Sequence, residues 1–99
     1  MWRIVWTPEA AQELLNLRAF DRRILLASAR EHLTVEPDVA SRHRKQIRGL
    51  VPPWGSAEPF WELRVRLYRV CYDVVKRDHE VHVRAVRLKP LGARTEDIL

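Results

Sequence analysis

The sequence predicts an α+β fold, with a helical hairpin on one face of a mostly antiparallel sheet. A β-rich apolar stretch opens the chain and two segments of helical period follow it. The second half then carries three runs rich in Val, Tyr, Leu and Trp. The length of 99 residues suits one domain, 1–99, and leaves no room for a second core.

Trp2 to Trp6 alternates large apolar and other residues, as a first strand does. Thr7-Pro8-Glu9 then supplies a hydroxyl cap, a proline at the first helical position and an acid in the first turn. Ala11, Leu14, Leu15 and Arg18 follow at i, i+3, i+4 and i+7, with the arginine ending the apolar stripe. Asp21 is positioned to cap a second helix running to about His32, with Ile24, Leu25, Ala27, Ser28 and Leu33 on its buried side. So short a link makes the two helices an antiparallel hairpin.

From Glu36 to Pro59, prolines and glycines break the periodicity, so this stretch is expected to be loop with one short ordered piece at most. Phe60 to Leu67, Tyr68 to Val75 and Val81 to Leu88 then form a three-strand meander. Lys76-Arg77-Asp78-His79 makes a good hairpin loop. The break near Arg66-Leu67 lacks the glycine or asparagine that favours a tight turn. Pro90 to Leu99 reads as a tail with a short turn at Thr95-Glu96-Asp97. Period 2 places Trp61, Leu63 and Val65 on one face of their strand and Glu62, Arg64 and Arg66 on the other. Helices on the tryptophan side would leave an arginine-rich face open.

Eighteen Lys+Arg against thirteen Asp+Glu give a formal charge of +5, with a pI near 10.1. This balance favours polyanions or an acidic partner. Arg42-His43-Arg44-Lys45-Gln46-Ile47-Arg48 is the densest cationic run, read either as a solvated charge run or as a phosphate-binding rim. Cys71 stands alone in an apolar stretch, as a buried structural thiol would, and no intrachain disulfide is possible. No apolar run reaches the roughly 20 residues of a membrane span, and the N-terminus is unlike a signal peptide, so the expected compartment is the cytoplasm. The scattered histidines lack ligand spacing, and no metal or cofactor is expected. His32 reads as a helix-terminal cation and His79 as a hairpin-loop residue.

Trp61-Glu62-Leu63-Arg64-Val65 followed by Tyr68-Arg69-Val70-Cys71-Tyr72-Asp73-Val74 closely resembles the paired central strands of RelE/ParE-family toxins. Ile47-Arg48-Gly49-Leu50 resembles the family's Leu-Arg-Gly element. Trp6-Thr7-Pro8-Glu9-Ala10 is similar to its first strand and helix start, and Val83-Arg84-Ala85-Val86-Arg87-Leu88-Lys89 to its last strand. The resemblance is collinear over nearly the whole chain, and the Tyr-Arg-x-x-Tyr strand is its most specific part.

What the resemblance implies is the toxic half of a type II toxin–antitoxin pair, held silent by a cognate antitoxin and often assembled into higher-order complexes. The RelE branch cuts mRNA in the ribosomal A site and so inhibits translation, whereas the ParE branch poisons DNA gyrase. Fold alone does not choose between them. Cleavage in the first branch resembles an internal phosphoryl transfer in which the ribose 2′-OH attacks the adjacent phosphate. That step needs a proton acceptor, a proton donor and cations around the developing charge.

By this resemblance Arg69 is the active-site arginine, with an ion pair to Glu62 or Asp73 as its alternative role. Arg48 matches the arginine of the Leu-Arg-Gly element, where it would anchor substrate or shape the loop. Arg64 lies at a family strand position, either sharing the open face or held in a structural salt bridge. Arg87 and Lys89 fall near the C-terminal basic position, and Arg42, Arg44 and Lys45 would bind RNA. RelE carries lysines where this chain has Phe60 and Glu62, and a C-terminal tyrosine that this chain lacks. His43, His82 and Glu62 are the groups left for acid–base work, each with an ordinary structural role open to it as well. Trp54 either stacks a base, covers the antitoxin or plugs the edge of the core. The expected function is a ribosome-dependent mRNA endonuclease working through the open arginine-rich face. A gyrase inhibitor without nuclease activity is the second reading, and a module that has lost toxicity the third.

Overall fold

The computed structural model describes residues 1–55 and 59–99. The elements run β1 (Arg3–Trp6), α1 (Pro8–Leu15), α2 (Ala19–Leu33), β2 (Arg44–Ile47), β3 (Phe60–Val65), β4 (Tyr68–Val75), β5 (Glu80–Leu88) and α3 (Thr95–Ile98). The five strands form one sheet in the order β1-β5-β4-β3-β2. β1 runs parallel to β5, and the other three pairings are antiparallel. This is the expected α+β arrangement, enlarged by one strand.

Thr7 caps α1 as its sequence implies: the hydroxyl accepts the Ala10 amide at 3.3 Å and donates to the Val83 carbonyl at 2.8 Å. The cap therefore also ties the helix to the sheet. The buried positions of α1 are Ala10 and Leu14, and Leu15 is exposed, so the apolar stripe lies one residue from its expected place. α2 starts at Ala19, before Asp21, and its buried residues are Leu25, Ala29 and Leu33. Asp21 is freed from capping and accepts the Tyr68 hydroxyl at 3.0 Å.

Leu25, Ala29 and Leu33 of α2 join Ala10 and Leu14 of α1 against Trp61, Leu63, Val65, Val70, Tyr72, Val81, Val83 and Val86 of the sheet. Both helices thus cover the tryptophan face, where period 2 put the apolar side chains. β3 ends at Val65, because Arg66 adopts φ +57 and turns the chain into β4. An arginine fills the left-handed position that glycine usually takes. Between β4 and β5 a 3-10 turn at Lys76–Asp78 and His79 at φ +55 close the expected hairpin.

Two features go beyond the sequence reading. The short ordered piece allowed for in this stretch falls in the basic run, where Arg44–Ile47 forms the edge strand β2, in register with Phe60–Leu63. Of the stretch read as loop, 56–58 lie outside the described residues. The second feature concerns the opposite face of the sheet. Phe60, Cys71, Ala85 and Ile47 make a small second core there, packed under Leu50, Trp54 and Leu99. The C-terminal residues are therefore docked, and the face is covered at one end. No helix among the described residues is long and apolar enough to cross a membrane.

Candidate nucleic-acid interface

Alternation along β2 and β3 sends Lys45 and Glu62, which are register partners, toward the face opposite the helices. Arg64 and Arg69 form the next pair on that face, and Arg69 is itself opposite Arg87 of β5. The Arg64 amide donates to the His43 carbonyl at 2.8 Å, which extends the β2–β3 pairing and brings His43 alongside. Together Arg42, His43, Lys45, Glu62, Arg64, Arg69 and Lys89 line one concavity of about 510 Å³. Seven of the candidates named from sequence converge there, and Arg44 borders it.

Their charges are not equally available. Arg69 is 12% exposed at its side chain, with its Nε 3.6 Å from Glu62 Oε1. Its Nη1 donates to the carbonyls of Arg66 and Tyr68, each at 2.9 Å. Glu62 has a further partner, because the Thr95 hydroxyl donates to its Oε2 at 2.8 Å and anchors α3 over the strand. Arg44 points to the helical side: it donates to Val39 O at 2.8 Å and to His32 O at 3.2 Å, near the end of α2. Arg42, Lys45, Arg64 and Lys89 have no acidic partner among the described residues. The uncompensated charge of the concavity is theirs.

The remaining candidates lie elsewhere. Arg48 lines a neighbouring hollow, where its Nη2 donates to Gln46 Oε1 at 2.7 Å. Arg87 is held by Glu13 of α1, at 2.7 Å between Nη1 and Oε2. The same carboxylate accepts the Val86 amide at 3.0 Å, beyond the point where β1 stops covering β5. His82 sits beside β1 with its Nε2 3.0 Å from Glu80 Oε1. Trp54 meets Phe60 edge-on, at 5.3 Å between centroids, and so plugs the second core. Sequence reasoning missed Glu13 and Thr95, since nothing local marks either one. Their partners are 73 and 33 residues away.

His32 is not the helix-terminal cation that its position suggested. Burial, with help from His43 and Arg44 and against Glu31, lowers its pKa below 6.5. Its ring lies 4.8 Å from that of His43. Arg44 Nη1 faces its Nδ1 at 3.4 Å, a contact that suits the neutral ring with Nδ1 as acceptor. Among the described residues, no group of His, Cys, Asp and Glu is placed to hold a metal ion.

No protein-family model matches the chain, and no curated protein matches it. Solved structures do. A chain of the toxin–antitoxin complex RelBE2 from Mycobacterium tuberculosis superposes with a TM-score of 0.70 at 19% identity, over 89% of this chain and 98% of that one. The isolated Escherichia coli RelE toxin gives 0.70 at 20%, over 98% and 90%. The archaeal RelE–RelB complex from Pyrococcus horikoshii gives 0.68 at 21%, over 94% and 98%. At such identities the likeness concerns the path of the backbone: this chain has the RelE fold.

Proposed function

We propose that the chain is the toxin of a type II toxin–antitoxin pair, acting in the cytoplasm as a ribosome-dependent mRNA endonuclease. The observation that carries the proposal is the concavity in which Arg42, Lys45, Arg64 and Lys89 stand without acidic partners among the described residues. Cations that no carboxylate neutralises attract a phosphodiester strongly, and arginine can hold two of its oxygens. In this reading Lys45, Arg64, Lys89 and Arg42 bind the phosphates around the scissile bond and balance the charge that builds as the 2′-OH attacks. His43 is the imidazole that lines the concavity and is the group placed to move the 2′ proton. Arg69, already engaged with Glu62, shapes the floor and contributes its field at short range.

An antitoxin partner is part of the proposal. Two of the structures that share the fold are complexes of a RelE toxin with its antitoxin. A basic surface also favours fast, salt-sensitive capture by an acidic one.

The test is controlled expression without antitoxin, followed by mapping of mRNA 5′ ends. Arg64→Ala is the sharper probe, because Arg64 is exposed and its loss should change stability by less than about 0.5 kcal/mol. Arg69→Ala leaves Glu62 buried without its cation, which should cost about 3 kcal/mol and blur activity with folding. Cleavage inside translated codons that Arg64→Ala reduces at least tenfold is the expected result. Growth arrest with intact mRNA and inhibited supercoiling would replace this reading with gyrase poisoning.

A further inference from the structure

Beyond Lys45 and Lys89 the concavity continues into a second hollow of about 400 Å³, to which both lysines also contribute. Its other charged lining residues are Arg48, Arg94 and Glu96. The two hollows therefore adjoin along β2 with the lysines between them. Arg48 is steered by the neutral Gln46 amide, so its position is set while its charge is left uncancelled. Arg94 lies 3.5 Å from Glu96, but both side chains are exposed, at 80% and 51%. Water screens such a pair, and the guanidinium is free to leave it.

We infer that this second hollow is a phosphate subsite, formed by Lys45, Arg48, Lys89 and Arg94, that takes the next stretch of a single-stranded RNA held in the first. The inference rests on the reading of the first concavity as an RNA site. Four cations face one carboxylate, and the apolar lining is limited to Ile47, Leu50, Ala93 and the glycine at 49. A docked peptide segment would need apolar anchors, which this lining barely offers. A phosphodiester backbone needs only the cations.

Fluorescence anisotropy with 2′-O-methyl hexauridylate and 2′-O-methyl diuridylate, titrated over a range of salt, tests the subsite. The methyl group blocks the attacking hydroxyl, so binding is read without cleavage. Arg48 and Arg94 are both exposed, so the double variant Arg48→Ala/Arg94→Ala should keep the fold, which its circular dichroism spectrum checks. It should weaken hexamer binding about tenfold and lower the salt slope by about 1.4, the value for two phosphate contacts on a single strand. Dimer binding should stay as in wild type.

Equal affinity of the wild type for dimer and hexamer would overturn the subsite and leave the first concavity standing. Binding of neither RNA would overturn both. An unchanged hexamer affinity in the double variant would also reject the subsite. So would displacement of the hexamer by deca-glutamate at lower concentration than by unlabelled hexamer, which would assign these arginines to an acidic peptide. Hexamer binding without mRNA cleavage in cells would keep the subsite and reject the nuclease.

Discussion

Tyr68 and Tyr72 stand four residues apart on β4, so strand alternation sends both to the helical side while Arg69 faces the other way. Tyr68 donates to Asp21 and Tyr72 donates to the Pro37 carbonyl at 2.6 Å. The most specific part of the sequence resemblance thus mixes two roles, with the tyrosines clamping α2 and its exit to the sheet. Tyr72→Phe should cost about 1–3 kcal/mol in urea unfolding, because the Pro37 carbonyl loses a buried donor. Cys71 is fully buried, and burial, reinforced by the Glu62 charge, pushes its thiol up to about 12. The folded chain therefore keeps a proton that the unfolded chain releases above about 9. Stability from this group is complete below pH 9 and is lost as pH rises toward 12, by about 1.4 kcal/mol per pH unit. Burial raises the Tyr72 hydroxyl as well, so it acts in the same direction. Urea unfolding from pH 8 to 11 should show a shallower alkaline decline in Cys71→Ala than in wild type.

Strands β3 to β5 were legible because their apolar residues alternate over six to nine positions against one face. β2 was not, for physical reasons that its four residues make plain. Arg44, Lys45 and Gln46 carry no hydropathy contrast, and Ile47 alone is buried. What holds this strand is pairing to β3 and the Arg44 guanidinium, which reaches back to the end of α2. Arg44→Ala should cost about 1–2 kcal/mol and speed amide exchange in Arg44–Ile47 ahead of the central strands. The start of α1 was readable in Thr7-Pro8, whereas α2 begins after Arg18, which makes no side-chain cap, and misled the placement at Asp21. Thr7→Ala should lower stability by about 1–2 kcal/mol, since it removes both the cap and the bond to Val83.

At the scale of the molecule, the basic character of the sequence resolves into paired and unpaired charge. Arg3, Arg69, Arg84 and Arg87 are tied to Glu80, Glu62, Asp73 and Glu13, so four of the eighteen cationic side chains brace one part of the fold against another. The sequence showed which residues were basic. It could not show which were neutralised, because each of these partners comes from another strand, a helix or, for Glu80, the far end of the chain. RNA affinity should consequently fall steeply with salt through Lys45, Arg64 and Lys89, and Arg84→Ala should leave the salt slope unchanged in the same anisotropy titration. The sheet order has a last consequence, for the making of the protein. β1 precedes the other four strands of the sheet in the chain, yet β5, with Arg3 opposite Glu80, is its partner. A nascent chain that has not yet reached Leu88 lacks the strand that joins β1 to β4. The sheet therefore closes only once Leu88 has been made, and a chain cut short before that point lacks the native fold.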